Sequence, residues 1–254
     1  MTIAFATRQS SQLDTSRGSR MATASSERGA IRQAPIADAA DASEAELEQI
    51  GTVVMLPRGR TVLEEGDPAN YVFKVVSGAL RSVRLLTDGR RSIINFLLPG
   101  DFFGFTDTGH YTQSVEILAD ATLIRYPRRR FEALLESDPR AGCRFFNLIC
   151  AQLSVAQDRL LLLGRKSALE RVATFLLTMI DRRASRGKGN DVDLPMNRVD
   201  VADYLGLTIE TVSRVLSQLR SRRIIDLPTA SHVVLLDRAA LAEISDCEIP
   251  AFAA

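Results

Sequence analysis

One stretch, NRVDVADYLGLTIETVSRVLSQL from Asn197 to Leu219, restricts the folds open to this chain more than any other. Asn197 is a helix N-cap with Asp200 three residues on, and the helix it opens puts Val201, Ala202 and Leu205 on one inward face. Gly206 falls where a short turn between helices needs a residue that accepts positive φ, and Leu207 plugs the gap. Thr208 caps a second helix whose Val212, Val215 and Leu219 point inward, while the small Ala202 allows a tight crossing. A small residue, a glycine four positions later and a β-branched residue six after that give the spacing of a helix-turn-helix.

The outward face of the second helix carries the chemistry. Glu210, Ser213 and Arg214 lie at i, i+3 and i+4, one stripe near the helix N-terminus, the end that a recognition helix offers to base edges. Arginine can donate a bidentate pair to guanine and glutamate can accept from a cytosine amine. Thr208 and Thr211 suit phosphate contacts, and Arg198 at the start of the first helix joins the same DNA-contacting set. The alternative is an internal one, in which Glu210 favours a helix start and pairs with Arg214. Downstream, Ile224 to Leu227 and His232 to Leu236 read as two strands around a Thr229-Ala230-Ser231 turn, a wing. The 32 basic and 31 acidic residues leave a net charge of +1, so attraction to nucleic acid has to be local. Arg220, Arg222 and Arg223, with the loop from Arg182 to Lys188, supply it, although that loop alone equally reads as a solvated one.

Upstream the texture changes twice. Residues 1–40 are rich in Ser, Ala, Thr and Arg without a sustained apolar period, and read as a flexible tail. A short helix is expected from Ser43 to Ile50. Short β-rich runs follow at Thr52 to Leu56, Thr61 to Leu63, Tyr71 to Val76, Leu80 to Leu86, Ser92 to Leu97 and, in pieces, Ser114 to Tyr126. Turn signals at Gly66-Asp67-Pro68, Ser77-Gly78, Asp88-Gly89 and Pro99-Gly100-Asp101 separate them, which is the pattern of a barrel or sandwich. From Arg128 the period is helical, with Phe131, Leu134 and Leu135 on one short face before Asp138-Pro139. In the long helix beyond, Ile149, Leu153, Ala156, Leu160 and Leu163 step by 4, 3, 4 and 3, the alternation of a coiled-coil dimer seam, or a face packed on its own domain. Gly164-Arg165 marks a hinge, and Ala168, Val172, Phe175, Leu176 and Met179 form a further helix face.

Several classes are excluded. Cys143, Cys150 and Cys247 make an odd, widely spaced set that suits neither a disulfide framework nor a zinc site; Cys143 and Cys150 are expected as buried small side chains, a thiol switch being the alternative. No apolar run approaches the roughly 20 residues of a membrane helix, so a cytoplasmic protein is expected. With only His110 and His232, a barrel oxygenase lacks its two histidines and carboxylate, so no enzyme, no metal and no cofactor is expected; His110 as a haem ligand is weaker than His110 as a solvated loop residue.

A β-rich domain with GDPA and PGDFFG turns, a long helix, then a winged helix-turn-helix containing LGLTIETVSR resembles the Crp/Fnr superfamily over roughly residues 45–245. The segment LPMNRVDVADYLGLTIETVSR is nearest the FixK/Fnr branch, whose E-x-x-S-R signature falls on Glu210, Ser213 and Arg214. The resemblance implies an α+β chain: a tail over 1–40, a cyclic-nucleotide-binding-like β-roll over 41–136, a dimerisation helix over 137–165, and a winged helix-turn-helix DNA-binding domain over 166–254. It implies a homodimer that reads a TTGA-type palindrome on double-stranded DNA, recruits RNA polymerase, and serves low-oxygen, nitrogen-fixation or denitrification circuits. Two departures matter. Gly104 is followed by Phe105 where cyclic-nucleotide receptors carry glutamate, and Gln113-Ser114 stands where they carry the phosphate-binding arginine, so cAMP is not expected. Residues 1–142 hold no cysteine, which removes an iron–sulfur cluster. What is left is a FixK-like, effector-free regulator, or one that senses an unidentified small molecule or redox signal through the β-roll, where Phe102, Phe103 and Phe105 would line a pocket.

Overall fold

The computed structural model describes residues 47, 49–87, 89, 91–184 and 189–245. The tail, the start of the helix from Ser43, Asp88 of the Asp88-Gly89 turn, Ser185 to Lys188 of the basic loop, and Cys247 lie outside the described residues.

The first half is a roll of antiparallel strands: β1 (Thr52–Leu56), β2 (Thr61–Leu63), β3 (Tyr71–Leu85), β4 (Arg91–Leu97), β5 (Phe102–Phe103) and β6 (Ser114–Pro127). The sheet runs β1-β6-β3-β4, with β2 pairing to β6 and β5 to β3. Leu63, Phe73, Val75, Leu80, Leu97, Phe103, Val115, Ile117 and Leu123 fill its interior. Two expected strands, Tyr71 to Val76 and Leu80 to Leu86, are one element, because Ser77-Gly78 does not reverse the chain. Gly78, at φ 88°, makes a bulge within β3, which stays paired to β6 through register shifts on either side. A Cβ at Gly78 would lie 2.5 Å from the carbonyl oxygen of Asp120, so the bend also needs glycine for space. Ser114 to Pro127 is likewise continuous rather than in pieces.

Helix α1 (Arg128–Ser137) leads into the 27-residue α2 (Pro139–Arg165), about 40 Å long. Asp138 caps α2 by accepting from the Arg140 amide, and Pro139 occupies the first turn, where its missing N–H costs nothing. Ala141, Leu148 and Leu162 are its buried residues. The opposite face, Cys143, Phe146, Cys150, Leu153, Gln157, Leu160 and Gly164, is exposed along its length. Cys143 and Cys150, expected to be buried, are therefore exposed in the single chain, because the period places them on that outward face.

After α2, the chain forms α3 (Ala168–Ala184), β7 (Asp191–Asp193), α4 (Arg198–Leu205), α5 (Ile209–Ser221), β8 (Ile225–Asp226), β9 (His232–Leu235) and α6 (Arg238–Ser245). Val172, Ala173, Phe175, Leu176, Met179 and Ile180 of α3 are buried under the helix-turn-helix pair. Arg171 of α3 ties together the ends of α2 and α4: it donates to the carbonyls of Leu163 at 2.8 Å and of the cap residue Lys166 at 2.9 Å, and to that of Leu205 at 3.0 Å, groups at helix C-termini where intrahelical partners run out. The wing strands close a sheet of order β7-β9-β8, in which β7 was not legible in advance.

Candidate nucleic-acid interface

Asn197 accepts from the Asp200 amide at 2.8 Å and opens α4; Gly206, at φ 62°, ends it in the left-handed conformation that the turn requires. Thr208 caps α5 through its hydroxyl, which accepts from the Thr211 amide at 3.2 Å. Val212, Val215, Leu216 and Leu219 are buried, so the other face of α5 is fixed outward. That face presents Thr208, Glu210, Arg214, Ser217 and Gln218 to solvent, with Ser213 and Thr211 half-exposed between them.

Among the described residues Arg214 makes no ion pair, so the internal Glu210–Arg214 bridge does not form. The carboxyl of Glu210 is held below its ordinary value first by its own backbone amide, then by the Thr208 hydroxyl, and lastly by the Arg214 charge. Neither side chain is ion-paired, and the Glu210 carboxylate is held only by its own amide and the Thr208 hydroxyl on the open face. Arg198 donates to the Ser213 hydroxyl at 3.1 Å, which ties the first helix to the middle of the second. Of the six expected DNA-contacting residues, Thr208, Glu210 and Arg214 are exposed, Thr211, Ser213 and Arg198 are half-exposed, and Arg198 is bonded to Ser213.

Two parts of the expected charge pattern differ. Arg182 is bound to Asp101, and Arg183 reaches Asp191 and Asp193, each at 3.2 Å; both belong to helix α3, so they are spent on internal ion pairs rather than on an open basic loop. Asp193 also contacts His232 at 2.6 Å, and this hydrogen bond, followed by those from Arg183, holds its carboxyl below the ordinary value. The other difference is Asp200, which is 1% exposed and bonded by Arg81 and, at 3.1 Å, by Arg91, both from the roll. Arg81 is shared with Glu116 at 2.6 Å. Arg159 of α2 adds a second link: it donates to the carbonyls of Ile93 and Ile94 in β4 and to that of Tyr204 in α4, with its guanidinium 4.2 Å from the Tyr204 ring centre. Burial pushes its pKa down and that of Tyr204 up. Nothing local in the sequence marks these residues, since Arg81 and Asp200 are 119 positions apart.

In the roll, Phe103 stacks on Phe73 at 5.0 Å, Phe102 lies near Tyr126, and Phe105 packs on Phe131 and Phe145. Phe103 is buried and Phe102 and Phe105 are half-buried against the core; none of the three lines the cavity of about 520 Å³ that opens between Leu56, Thr61, Asp67, Tyr71, Phe73, Tyr111 and Arg125.

Residues 53–138 match the cyclic nucleotide-binding domain, and residues 170–244 match the Crp-like helix-turn-helix domain. The nitrogen fixation regulation protein FixK of Azorhizobium caulinodans is 42% identical over 194 residues, which cover 76% of this chain and 78% of that protein. This chain belongs to the Crp/Fnr family of transcription regulators. Within the family it is also similar to the transcriptional activator FnrL of Cereibacter sphaeroides, 36% identical over 84% of this chain and 88% of that one. The structure of FixK2 from Bradyrhizobium japonicum superimposes with a TM-score of 0.73 at 40% identity, covering 79% of this chain and all of that one. Membership in the Crp/Fnr family makes the chain a DNA-binding regulator and not an enzyme, with a nucleotide-binding-type sheet before a helix-turn-helix. No helix among the described residues is long and apolar enough to cross a membrane.

Proposed function

We propose that this regulator binds a palindrome of TTGA-type half-sites as a homodimer, needs no small-molecule effector to do so, and controls low-oxygen, nitrogen-fixation or denitrification genes in the cytoplasm by recruiting RNA polymerase. The observation that carries the reading is the open face of α5, where Glu210 and Arg214 are charged and unpaired beside Ser213, set at the base-reading end of the helix. The FixK and FnrL names of its relatives support the physiological part.

The dimer rests on α2. Phe146, Leu153, Leu160 and Leu161 are 66%, 57%, 71% and 63% exposed, and covering each would contribute about 1.5 to 3 kcal/mol. Of the seam positions, Leu153, Ala156 and Leu160 are exposed and Ile149 and Leu163 are half-buried, so a partner helix would seat on the first three. Effector independence is supported at the turn after β5: the segment 104–115 contains no lysine or arginine, and Arg128, which reaches it, is held by the carbonyls of Ala69, Gly104 and Thr106. A cyclic phosphate would have no free guanidinium there.

Fluorescence anisotropy with purified protein tests the reading. A duplex with two TTGA half-sites, without effector, is expected to bind at least a hundredfold more tightly than a scrambled duplex at about 150 mM salt. Equal binding to both rejects the half-site. A second reading, a small-molecule sensor, is favoured only by the cavity near Tyr71 and Tyr111. A thermal shift with a metabolite panel separates the two, since a ligand of the folded state raises the melting temperature.

A further inference from the structure

Among the described residues, positive φ occurs at eight glycines and at one other residue, Arg223, with φ 57°. Arg223 follows the recognition helix. Its amide donates to the carbonyl of Arg220 at 2.9 Å, and the amide of Ile224 donates to Leu219 at 3.1 Å, the two bonds of a Schellman closure. The left-handed position of that closure is ordinarily glycine, and next asparagine, because a Cβ there crowds the following carbonyl. The same chain closes α4 with Gly206 at φ 62°, and the Leu207 amide reaches back to Ala202 at 2.9 Å. A glycine solution to this turn is therefore available to the fold and is not used at 223.

In its place stands a cation that the chain does not use. Arg220, Arg222 and Arg223 are exposed, and among the described residues none of their side chains has an ion pair or hydrogen bond. Several other arginines, Arg81, Arg91, Arg128, Arg183 and Arg238 among them, each reach a carboxylate. A helix C-terminus carries partial negative charge and would repel a phosphate. Three arginines reverse the sign of that end, on the helix whose outward face carries Glu210, Ser213 and Arg214.

Resting on the DNA-reading role of α5 proposed above, we propose that Arg223 is a phosphate-gripping, positioning residue: its left-handed backbone holds a guanidinium at the junction of recognition helix and wing, where it binds a backbone phosphate of the half-site that α5 reads. Phosphate contacts set register and orientation and carry no base information, so losing this one weakens binding to every sequence alike. The competing account is internal, with Arg223 merely complementing the helix end.

Full-length Arg223→Gly and Arg223→Asn keep the turn and remove the charge, and Arg223→Lys keeps the charge. Thermal unfolding without DNA is measured alongside anisotropy from 50 to 200 mM salt, on the two-half-site TTGA duplex and on its scrambled version. Arg223→Gly and Arg223→Asn are expected to melt at the wild-type temperature or up to about 3 °C above it. They are expected to bind both duplexes about threefold to tenfold more weakly, and to flatten the slope of log K against log salt by about 0.9 per protomer, while Arg223→Lys keeps the slope. Lower melting temperatures with an unchanged slope assign Arg223 to the helix end alone and overturn the proposal, as does a loss confined to the TTGA duplex. If the wild type binds neither duplex, the DNA-reading role of α5 fails first, and that is seen before any variant is measured.

Discussion

Arg214 and Glu210 stand one helical turn apart on α5 without forming the bridge that such a spacing permits, and both carry charge on the open face. The energy such a surface bridge would give is about half a kcal/mol, less than one good bidentate contact to a guanine edge, about 1 to 3 kcal/mol. Arg214→Ala should therefore cost about 1 to 3 kcal/mol on the TTGA duplex and flatten preference at one base position per half-site, read by competition binding against single-base variants; an equal loss on random DNA would mean that Arg214 touches only phosphate. At Gly206 the demand is on the backbone. Its added Cβ would meet nothing closer than 3.6 Å, so Gly206→Ala should lose only the left-handed penalty, about 1 kcal/mol, by urea denaturation. Both residues were legible in the sequence because cap, turn and stripe are local patterns. Asp200 was legible only as a neighbour of the Asn197 cap; its burial against Arg81 and Arg91 comes from strands far away in the chain and leaves no local trace.

At the scale of elements, period and turn chemistry located the strands and helices but not their continuity. A glycine at positive φ serves equally a hairpin or a bulge, and at Gly78 only the long pairing of β3 with β6 decides for the bulge. The Phe102, Phe103 and Phe105 run shows the same limit: apolar residues at a turn suit a pocket or a core, and here Phe103 is buried while ring contacts pack Phe102 and Phe105 against the core. The α2 period was unambiguous, yet a single sequence could not separate a seam from a face packed at home. Exposure of Leu153 at 57% and Leu160 at 71% favours the seam. Leu153→Asp or Leu160→Asp should convert a dimer to monomers by light scattering, with the far-ultraviolet circular dichroism of the folded chain retained, because neither side chain contributes to the chain's own core. A dimer that survives both substitutions would place the interface elsewhere.

Across the whole molecule, the roll and the reading head meet through charge and aromatic packing rather than through a flexible linker alone. Phe96 of β4 lies 5.0 Å from Tyr204 and 6.2 Å from Phe175, Arg159 threads between Ile93 and Tyr204, and Asp200 closes the junction between two arginines. Asp200→Asn leaves Arg81 with Glu116 but removes the charge that both arginines share, and should cost about 3 kcal/mol in denaturant unfolding. A change below about 0.5 kcal/mol would show that the junction does not hold the head in place. In the proposed dimer, a head so fixed on each protomer and paired through α2 would put two recognition helices on one face of DNA about one helical turn apart. Unbiased selection of DNA bound by the wild-type protein, with no effector added, tests this account most directly. It predicts enrichment of inverted TTGA half-sites at a single spacing; enrichment of lone half-sites, of unrelated sequences or of none would contradict it.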